Sequence, residues 1–156
     1  MFLNLKTAFV PNNEFLHSKK ELMAKVEVSL GGRAAEEVVF GKNEVTGGCS
    51  SDLYHAESTL KHMFRDLGMG KEIYTDSSSK LKDDMTSQIN ESYSHVLDLL
   101  KSKKHILIAV AQCLLQYETL NAEQFNKIVQ RASDSPPSNT DPSKFETKGD
   151  KDTIKT

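Results

Sequence analysis

A chain of 156 residues suits one domain and is long enough to bury a core. Its net charge of -2 and isoelectric point near 6.2 lack the basic character of nucleic-acid-binding proteins, so we expect no nucleic-acid partner. The longest apolar run, Ile106–Ala111, is far shorter than the ~20 residues of a membrane helix, so we expect no membrane insertion by this chain itself.

The chain is predicted to divide into three parts. Residues 1–17 form an N-terminal segment in which only Lys6–Val10 has an extended, strand-like pattern. Residues 18–132 form the helical domain. Residues 133–156 form a tail whose only large apolar residues are Phe145 and Ile154, and which holds three of the four prolines. Because such a segment cannot bury enough apolar surface to offset its ordering entropy, we expect it to be disordered.

The first helix is predicted to begin after Ser18, an N-cap residue with Glu21 as its capping-box partner. Gly31 and Gly32 interrupt its apolar stripe, and a glycine pair there indicates either a break or a close approach by another backbone. Gly41 is the expected C-cap. The stripe recurs every four residues and should face the core: Leu22, Val26, Leu30, Ala34 and Val38.

The second helix follows the loop Thr46-Gly47-Gly48, with Ser50 or Ser51 as the expected cap. Asp52 falls in its first turn, where the helix dipole favours a carboxylate, so by itself it is most simply an ordinary first-turn acid. Gly68 and Gly70 end the pattern. The residues at helical spacing are Leu53, Ala56, Leu60, Met63, Phe64 and Leu67.

Three further helices complete the prediction. The third spans about Leu81–Lys101, and the fourth spans Lys104–Tyr117 and should be central because it is dense in apolar residues. The fifth begins at the cap Asn121, pairs it with Gln124 and directs Phe125, Ile128 and Val129 inward. The short connections favour a mainly α fold, an antiparallel bundle of about five helices.

The residues alone indicate no catalytic centre. Asp52, His55 and His62 share one face of the second helix, but the two histidines are two turns, ~10 Å, apart, too far for zinc bonds of ~2 Å. Asp52 and His55 would be too few ligands, so we expect a solvated or interface face. Glu36 and Glu37 are adjacent, point in different directions and are expected at the helix surface.

The two cysteines do not form a metal or redox motif, because Cys49 and Cys113 are too far apart in the sequence for a CxxC arrangement. One disulfide between them is possible, and two reduced thiols are the simpler interpretation. Cys49 lies near His55 in sequence, but no third group would orient such a pair, so a structural role is favoured.

Four stretches carry a family resemblance. GGRAAEEVVFG (Gly31–Gly41), VTGGCSSDL (Val45–Leu53), FRDLGMG (Phe64–Gly70) and LLQYETLNAEQFNKI (Leu114–Ile128) resemble the peptidase domain of the FtsH-type AAA zinc metalloproteases. The amino-acid sequence of these stretches most resembles the mitochondrial i-AAA branch and its plant organellar relatives. The match runs from about Thr7 to Gln130, nearly all of the predicted folded part.

The resemblance implies an ATP-dependent zinc endopeptidase of membrane protein quality control. Its partners would be family protease subunits in a hexamer and unfolded or membrane protein substrates, at the mitochondrial inner membrane or a plastid membrane. ATP would bind only through an upstream module. By the same resemblance, Asp52 is the third zinc ligand, the loop containing Thr46 and Gly47 places the helix start against the metal, and Glu36 and Glu37 support the site.

The resemblance also implies that the rest of the zinc site lies upstream of Met1. No His-Glu-x-x-His occurs in the 156 residues, and zinc peptide hydrolysis needs three protein ligands, an open position for water and a base. We therefore expect this chain alone to be inactive. It is either the C-terminal portion of a working protease or a degenerate pseudoprotease that associates with family hexamers; an unrelated helical adaptor is disfavoured.

Overall fold

The fold, taken from a computed structural model, is described for residues 17–75 and 78–134. No strand occurs in these ranges, and the predicted mainly α fold with about five helices is confirmed. Short 3-10 turns at Lys42–Glu44 and Gly47–Cys49 join the first two helices, and a π-helical turn at His62–Asp66 continues the second. The five helices are α1 (Lys19–Phe40), α2 (Ser50–Lys61), α3 (Ser79–Ser102), α4 (Lys104–Tyr117) and α5 (Ala122–Asp134).

Two parts of the sequence prediction fall outside these ranges. The extended stretch Lys6–Val10 and the tail beyond Asp134 lie outside the described residues. The domain boundaries near residues 17 and 132 therefore stay predictions.

Helix α1 begins and ends as its sequence predicts. The Ser18 hydroxyl accepts from the Glu21 amide at 3.3 Å, while the Glu21 carboxylate accepts from the Ser18 amide at 2.7 Å. The latter bond is the main cause of a lowered Glu21 pKa. At the other end Gly41 takes a φ of +96° and donates to the Glu37 carbonyl at 3.0 Å. The helix continues through Gly31 and Gly32, so the predicted break does not occur.

The start of α2 differs from the prediction. Ser50 is the first helical residue, and neither Ser50 nor Ser51 caps it. The 3-10 turn Gly47–Cys49 continues directly into α2, so the side-chain cap lies one turn earlier, where the Thr46 hydroxyl accepts from the Gly48 amide at 3.3 Å. The positions of Asp52 and of the Thr46 loop are therefore linked.

The main core lies where α1 packs against α2 and α3. Leu53 and Leu67, the two outer residues of the helical spacing predicted for the second helix, are exposed, whereas the four residues of that spacing between them are buried. Met23, Met69, Ile89 and Tyr93 pack around the core, partly buried. Its buried members are Leu22, Val26, Leu30, Ala56, Leu60, Met63, Phe64, Tyr74, Leu81 and Met85.

Helix α4 is not central, which corrects the prediction. It packs mainly on α5, and the two helices form a second, smaller cluster of Ala109, Cys113, Ile128 and Ala132. Dense apolar content predicts burial on every side, but α4 has a close neighbour on only part of its surface, and Leu115 is 59% exposed. Phe125 is also exposed, because α5 turns Ile128 and Ala132 toward α4 instead.

The two cysteines are free and buried, as the reduced interpretation predicted. Cys49 lies at the start of α2, and Cys113 lies in the second cluster, where burial raises the pKa of its thiol. Across residues 17–75 and 78–134, no helix has the length and apolar character needed to cross a membrane.

A turn containing Gly68 and Gly70 follows the α2 segment and packs on α3. Gly68 takes a φ of +62°, and Gly70 lies against the stacked rings of Phe64 and Tyr74. The Tyr74 hydroxyl donates to the Asp84 carboxylate on α3, which raises the pKa of Tyr74 to about 12 and lowers that of Asp84. Lys71 Nζ lies 3.4 Å from the same carboxylate, and Lys80 of α3 lies 2.6 Å from the Glu72 carboxylate, so α3 holds the turn through Asp84 and Lys80.

Candidate functional site

Asp52 lies in the first turn of α2 with its carboxylate exposed. On α1 Gly32 faces it: a methyl group there would lie 3.7 Å from Asp52 Oδ2, an ordinary contact distance, and a methyl group on Gly31 would have no atom within 4 Å. Neither glycine is approached closely by another backbone, so the second alternative for the glycine pair is not borne out either. Within the described part of the chain, no hydrogen bond or ion pair engages the Asp52 carboxylate. It is therefore free to accept a ligand.

Glu36 fixes the loop that leads to Asp52. Its Oε2 accepts from the Thr46 amide at 2.8 Å, and its Oε1 accepts from the Thr46 hydroxyl at 3.1 Å. Thr46 in turn caps the 3-10 turn through Gly48, and its carbonyl oxygen lies 3.7 Å from Cys49 Sγ, the donor of a weak hydrogen bond. Glu36 is thus partly buried and bonded, which corrects the expectation of a plain helix surface.

Glu37, the next residue, binds a different element. Its Oε2 accepts from the Tyr93 hydroxyl of α3 at 2.6 Å, and the Arg33 guanidinium carbon lies 5.9 Å from the centre of the Tyr93 ring. The pKa of Tyr93 rises to about 12, mainly through desolvation and then through this bond to a carboxylate. Glu36 and Glu37 are therefore not a matched carboxylate pair, in agreement with the prediction.

Gly47 begins the 3-10 turn between Thr46 and α2, and its carbonyl accepts from the Ser50 amide. No atom lies within 4 Å of a methyl group placed on it, so the space above this turn is open. The loop thus has one exposed surface next to Asp52, and Glu36 of α1 binds it through Thr46.

The segment that holds this arrangement is also the segment that matches known proteins. The sequence profile of peptidase family M41 matches residues 6–80. An ATP-dependent zinc metalloprotease of Arabidopsis thaliana, FTSH 11 (chloroplastic/mitochondrial), is 35% identical over 136 residues, which is 81% of this chain and 17% of that protein. The ATP-dependent zinc metalloprotease YME1L of Drosophila melanogaster is 34% identical over 141 residues, 79% of this chain and 19% of that protein.

The chain belongs to peptidase family M41. The predicted resemblance to the peptidase domain of FtsH-type zinc metalloproteases is thereby confirmed. A YME1 homologue of Schizosaccharomyces pombe, 34% identical over 72% of this chain and 18% of its own length, agrees with it. The chain spans less than a fifth of the length of these three relatives, which all carry zinc metalloprotease in their names.

The described residues of the segment that matches family M41, residues 6–80, do not form a complete zinc site by themselves. His62 is paired with Asp66 at 2.8 Å, and His55 packs edge-on against Tyr54. In the ranges 17–75 and 78–134, no three His, Cys, Asp or Glu side chains are grouped so as to hold a metal ion. The arrangement fits one carboxylate ligand, whereas zinc sites take at least three protein ligands.

Sequence reasoning missed two residues that contact this candidate site through Glu37 and its partner ring, Tyr93 and Arg33. By its helical spacing with Ile89 and Val96, Tyr93 is predicted only to lie on the apolar side of the third helix. One signal was present, since a tyrosine on a buried face needs a partner for its hydroxyl. Its partner, Glu37, lies 56 residues away and could not be identified from one sequence.

Tyr93 is expected to ionise only near pH 12. Because its folded pKa lies above the ordinary value of about 10, its bond to Glu37 stabilises the fold fully below pH ~10 and is lost as the pH rises through about 12. The phenolate absorbance of the chain minus that of the Tyr93→Phe variant, followed during alkaline titration, isolates this group. If the phenol that the variant lacks titrates with a midpoint near pH 10, the bond between Tyr93 and Glu37 is contradicted.

Proposed function

We propose that this chain is the C-terminal part of the peptidase domain of an ATP-dependent zinc endopeptidase, with Asp52 as the third zinc ligand. The observation that carries the proposal is the unpaired, exposed Asp52 carboxylate on a helix start that Glu36 holds through Thr46. The bonds from Thr46 to Glu36 fix the backbone that carries Asp52, while the carboxylate oxygens keep their lone pairs for a metal ion.

The proposal assigns each described residue a limited task. Asp52 supplies one oxygen ligand, and Glu36 and Thr46 fix the helix start that carries it. The two imidazoles and the base come from a His-Glu-x-x-His element outside these 156 residues. When bound, zinc would supply Lewis acidity for peptide hydrolysis. Without the other ligands this segment neither holds zinc tightly nor hydrolyses peptides.

The remaining properties follow from the same proposal. The substrates are unfolded or membrane proteins, the partners are subunits of the same family in a hexamer, and ATP is bound by a separate module. The relatives include proteins named as chloroplastic or mitochondrial, which supports an organellar membrane as the location.

A second candidate is an inactive subunit that only associates with family proteases. Large apolar side chains near the Asp52 site favour it: Phe40 at the end of α1 is 66% exposed and Tyr54 on α2 is 69% exposed. Exposed apolar residues of this size are typical of surfaces that a partner covers.

A chimaera tests both candidates. This chain would replace the matching region of the Drosophila YME1L relative, and hydrolysis of casein would be measured with ATP, with and without a zinc chelator. The proposal predicts hydrolysis that the chelator abolishes, with the unaltered relative as positive control. A chimaera that assembles and consumes ATP but leaves casein intact would favour the inactive subunit. A chimaera that does not assemble would contradict both.

A further inference from the structure

The last turn of α1 is bonded on two sides. On one side Glu36 accepts two hydrogen bonds from Thr46, and on the other Glu37 accepts the Tyr93 hydroxyl at 2.6 Å. Consecutive residues of an α-helix point about 100° apart, so the two carboxylates reach different elements from the same turn. This turn is also the end of the helix, where the Gly41 amide donates to the Glu37 carbonyl.

Helix ends fray unless something holds them, because their last carbonyls lack partners within the helix. Here the bond that holds the turn to the body of the fold comes from Tyr93, whose ring packs against the main core. Arg33, one turn earlier on α1, lies over the same ring. The Thr46 loop, by contrast, is exposed and is attached to α1 chiefly through Glu36. Movement of the turn therefore moves the loop.

We propose that Tyr93 is a positioning residue for Asp52: its hydroxyl fixes the last turn of α1, and this turn holds the Thr46 loop and the start of α2 in place. The path runs from Tyr93 to Glu37, along one peptide unit to Glu36, and from there to Thr46. Calling Asp52 a metal ligand rests on the proposed function. The mechanical link between Tyr93 and the loop does not.

Hydrogen exchange of backbone amides tests the link on the chain as it is. The Thr46 amide donates to Glu36 and the Gly48 amide donates to the Thr46 hydroxyl, so both report whether the loop is held. Tyr93→Phe keeps the ring and removes only the hydroxyl. We expect both amides to exchange ~3- to 10-fold faster, with the Leu60 amide of the buried core unchanged, since a single hydrogen bond to a charged group is lost locally.

Two matched variants separate positioning from general weakening. Tyr74→Phe removes another tyrosine hydroxyl bonded to a carboxylate, but one that joins the Gly70 turn to α3, and it should leave the Thr46 and Gly48 amides unchanged. Glu37→Gln keeps an oxygen acceptor for Tyr93 and should retain most of the protection, whereas Glu37→Ala should match Tyr93→Phe.

The ¹³C chemical shift of the Asp52 carboxyl carbon gives a second readout. It should change in Tyr93→Phe and not in Tyr74→Phe, which a purely structural role of Tyr93 would not produce. Unchanged exchange at Thr46 in Tyr93→Phe, or equal acceleration at Thr46 and Leu60, would overturn the proposal. Neither measurement requires zinc. An inactive chimaera with intact coupling would therefore count against the proposed function and leave the role of Tyr93 standing.

Discussion

Replacing Gly70 with alanine is expected to lower the free energy of unfolding by about 1–3 kcal/mol. A methyl group at this position would lie 2.6 Å from a ring carbon of Tyr74, 3.1 Å from the Glu72 carbonyl oxygen and 3.3 Å from a ring carbon of Phe64. Tyr74 cannot move aside freely, because it is buried and its hydroxyl is bonded to Asp84. The backbone of the turn must shift instead. Urea denaturation of the variant and the parent chain measures the difference.

Gly31→Ala is the matched control for this substitution. Gly31 lies inside α1, and no atom lies within 4 Å of a methyl group placed on it. Alanine there should raise the free energy of unfolding by ~0.5–1 kcal/mol, because it removes backbone freedom from the unfolded chain without a clash. If Gly70→Ala were as stable as the parent, or if both variants shifted in the same direction, the packing of the turn described above would be wrong.

Short-range signals in the sequence were sufficient to place the starts of α1 and α5, although not the start of α2. The caps Ser18 and Asn121 each bond a residue three positions later, Glu21 and Gln124, and both bonds form as predicted. The span of α4 was also predicted correctly. These features depend on contacts within one helical turn, which a single sequence displays directly.

Predictions that depended on which element packs against a given helix face were less successful. The apolar content of α4 predicted a central helix, yet burial depends on how many neighbours surround it, and Leu115 and Phe125 remain exposed. The same limit explains why Glu36 and Glu37 were expected at a plain surface. Their partners, Thr46 and Tyr93, lie across a loop and on another helix.

The candidate site, too, could be predicted from the sequence only in part. Helical spacing correctly placed Asp52 in the first turn of α2, but spacing alone could not distinguish it from any other acid that the helix dipole favours. Its proposed role came from the family resemblance, and its physical support came from the structure. That support is the pair of bonds from Thr46 to Glu36, which connects the helix start to the end of α1.

Asp52→Asn is expected to abolish casein hydrolysis by the chimaera proposed above, with a loss of more than ~100-fold. Asparagine keeps the size and one oxygen of the side chain but removes the negative charge that a zinc ligand provides. Loss of a residue that merely supports a ligand already costs ~10- to 100-fold in metal affinity or activity, so loss of the ligand itself should cost more. Zinc bound per subunit should fall together with hydrolysis.

Asp98→Asn provides the control, because Asp98 is an exposed acid on α3 that forms a surface ion pair with Lys101 at 3.8 Å. It loses the same charge and should retain both zinc and hydrolysis, since exposed pairs of this kind contribute little. ATP consumption measured for all three proteins establishes that the assembly is intact. Full zinc content and full hydrolysis in Asp52→Asn would show that this carboxylate is not a ligand, and the free position of Asp52 beside Gly32 would then need another explanation.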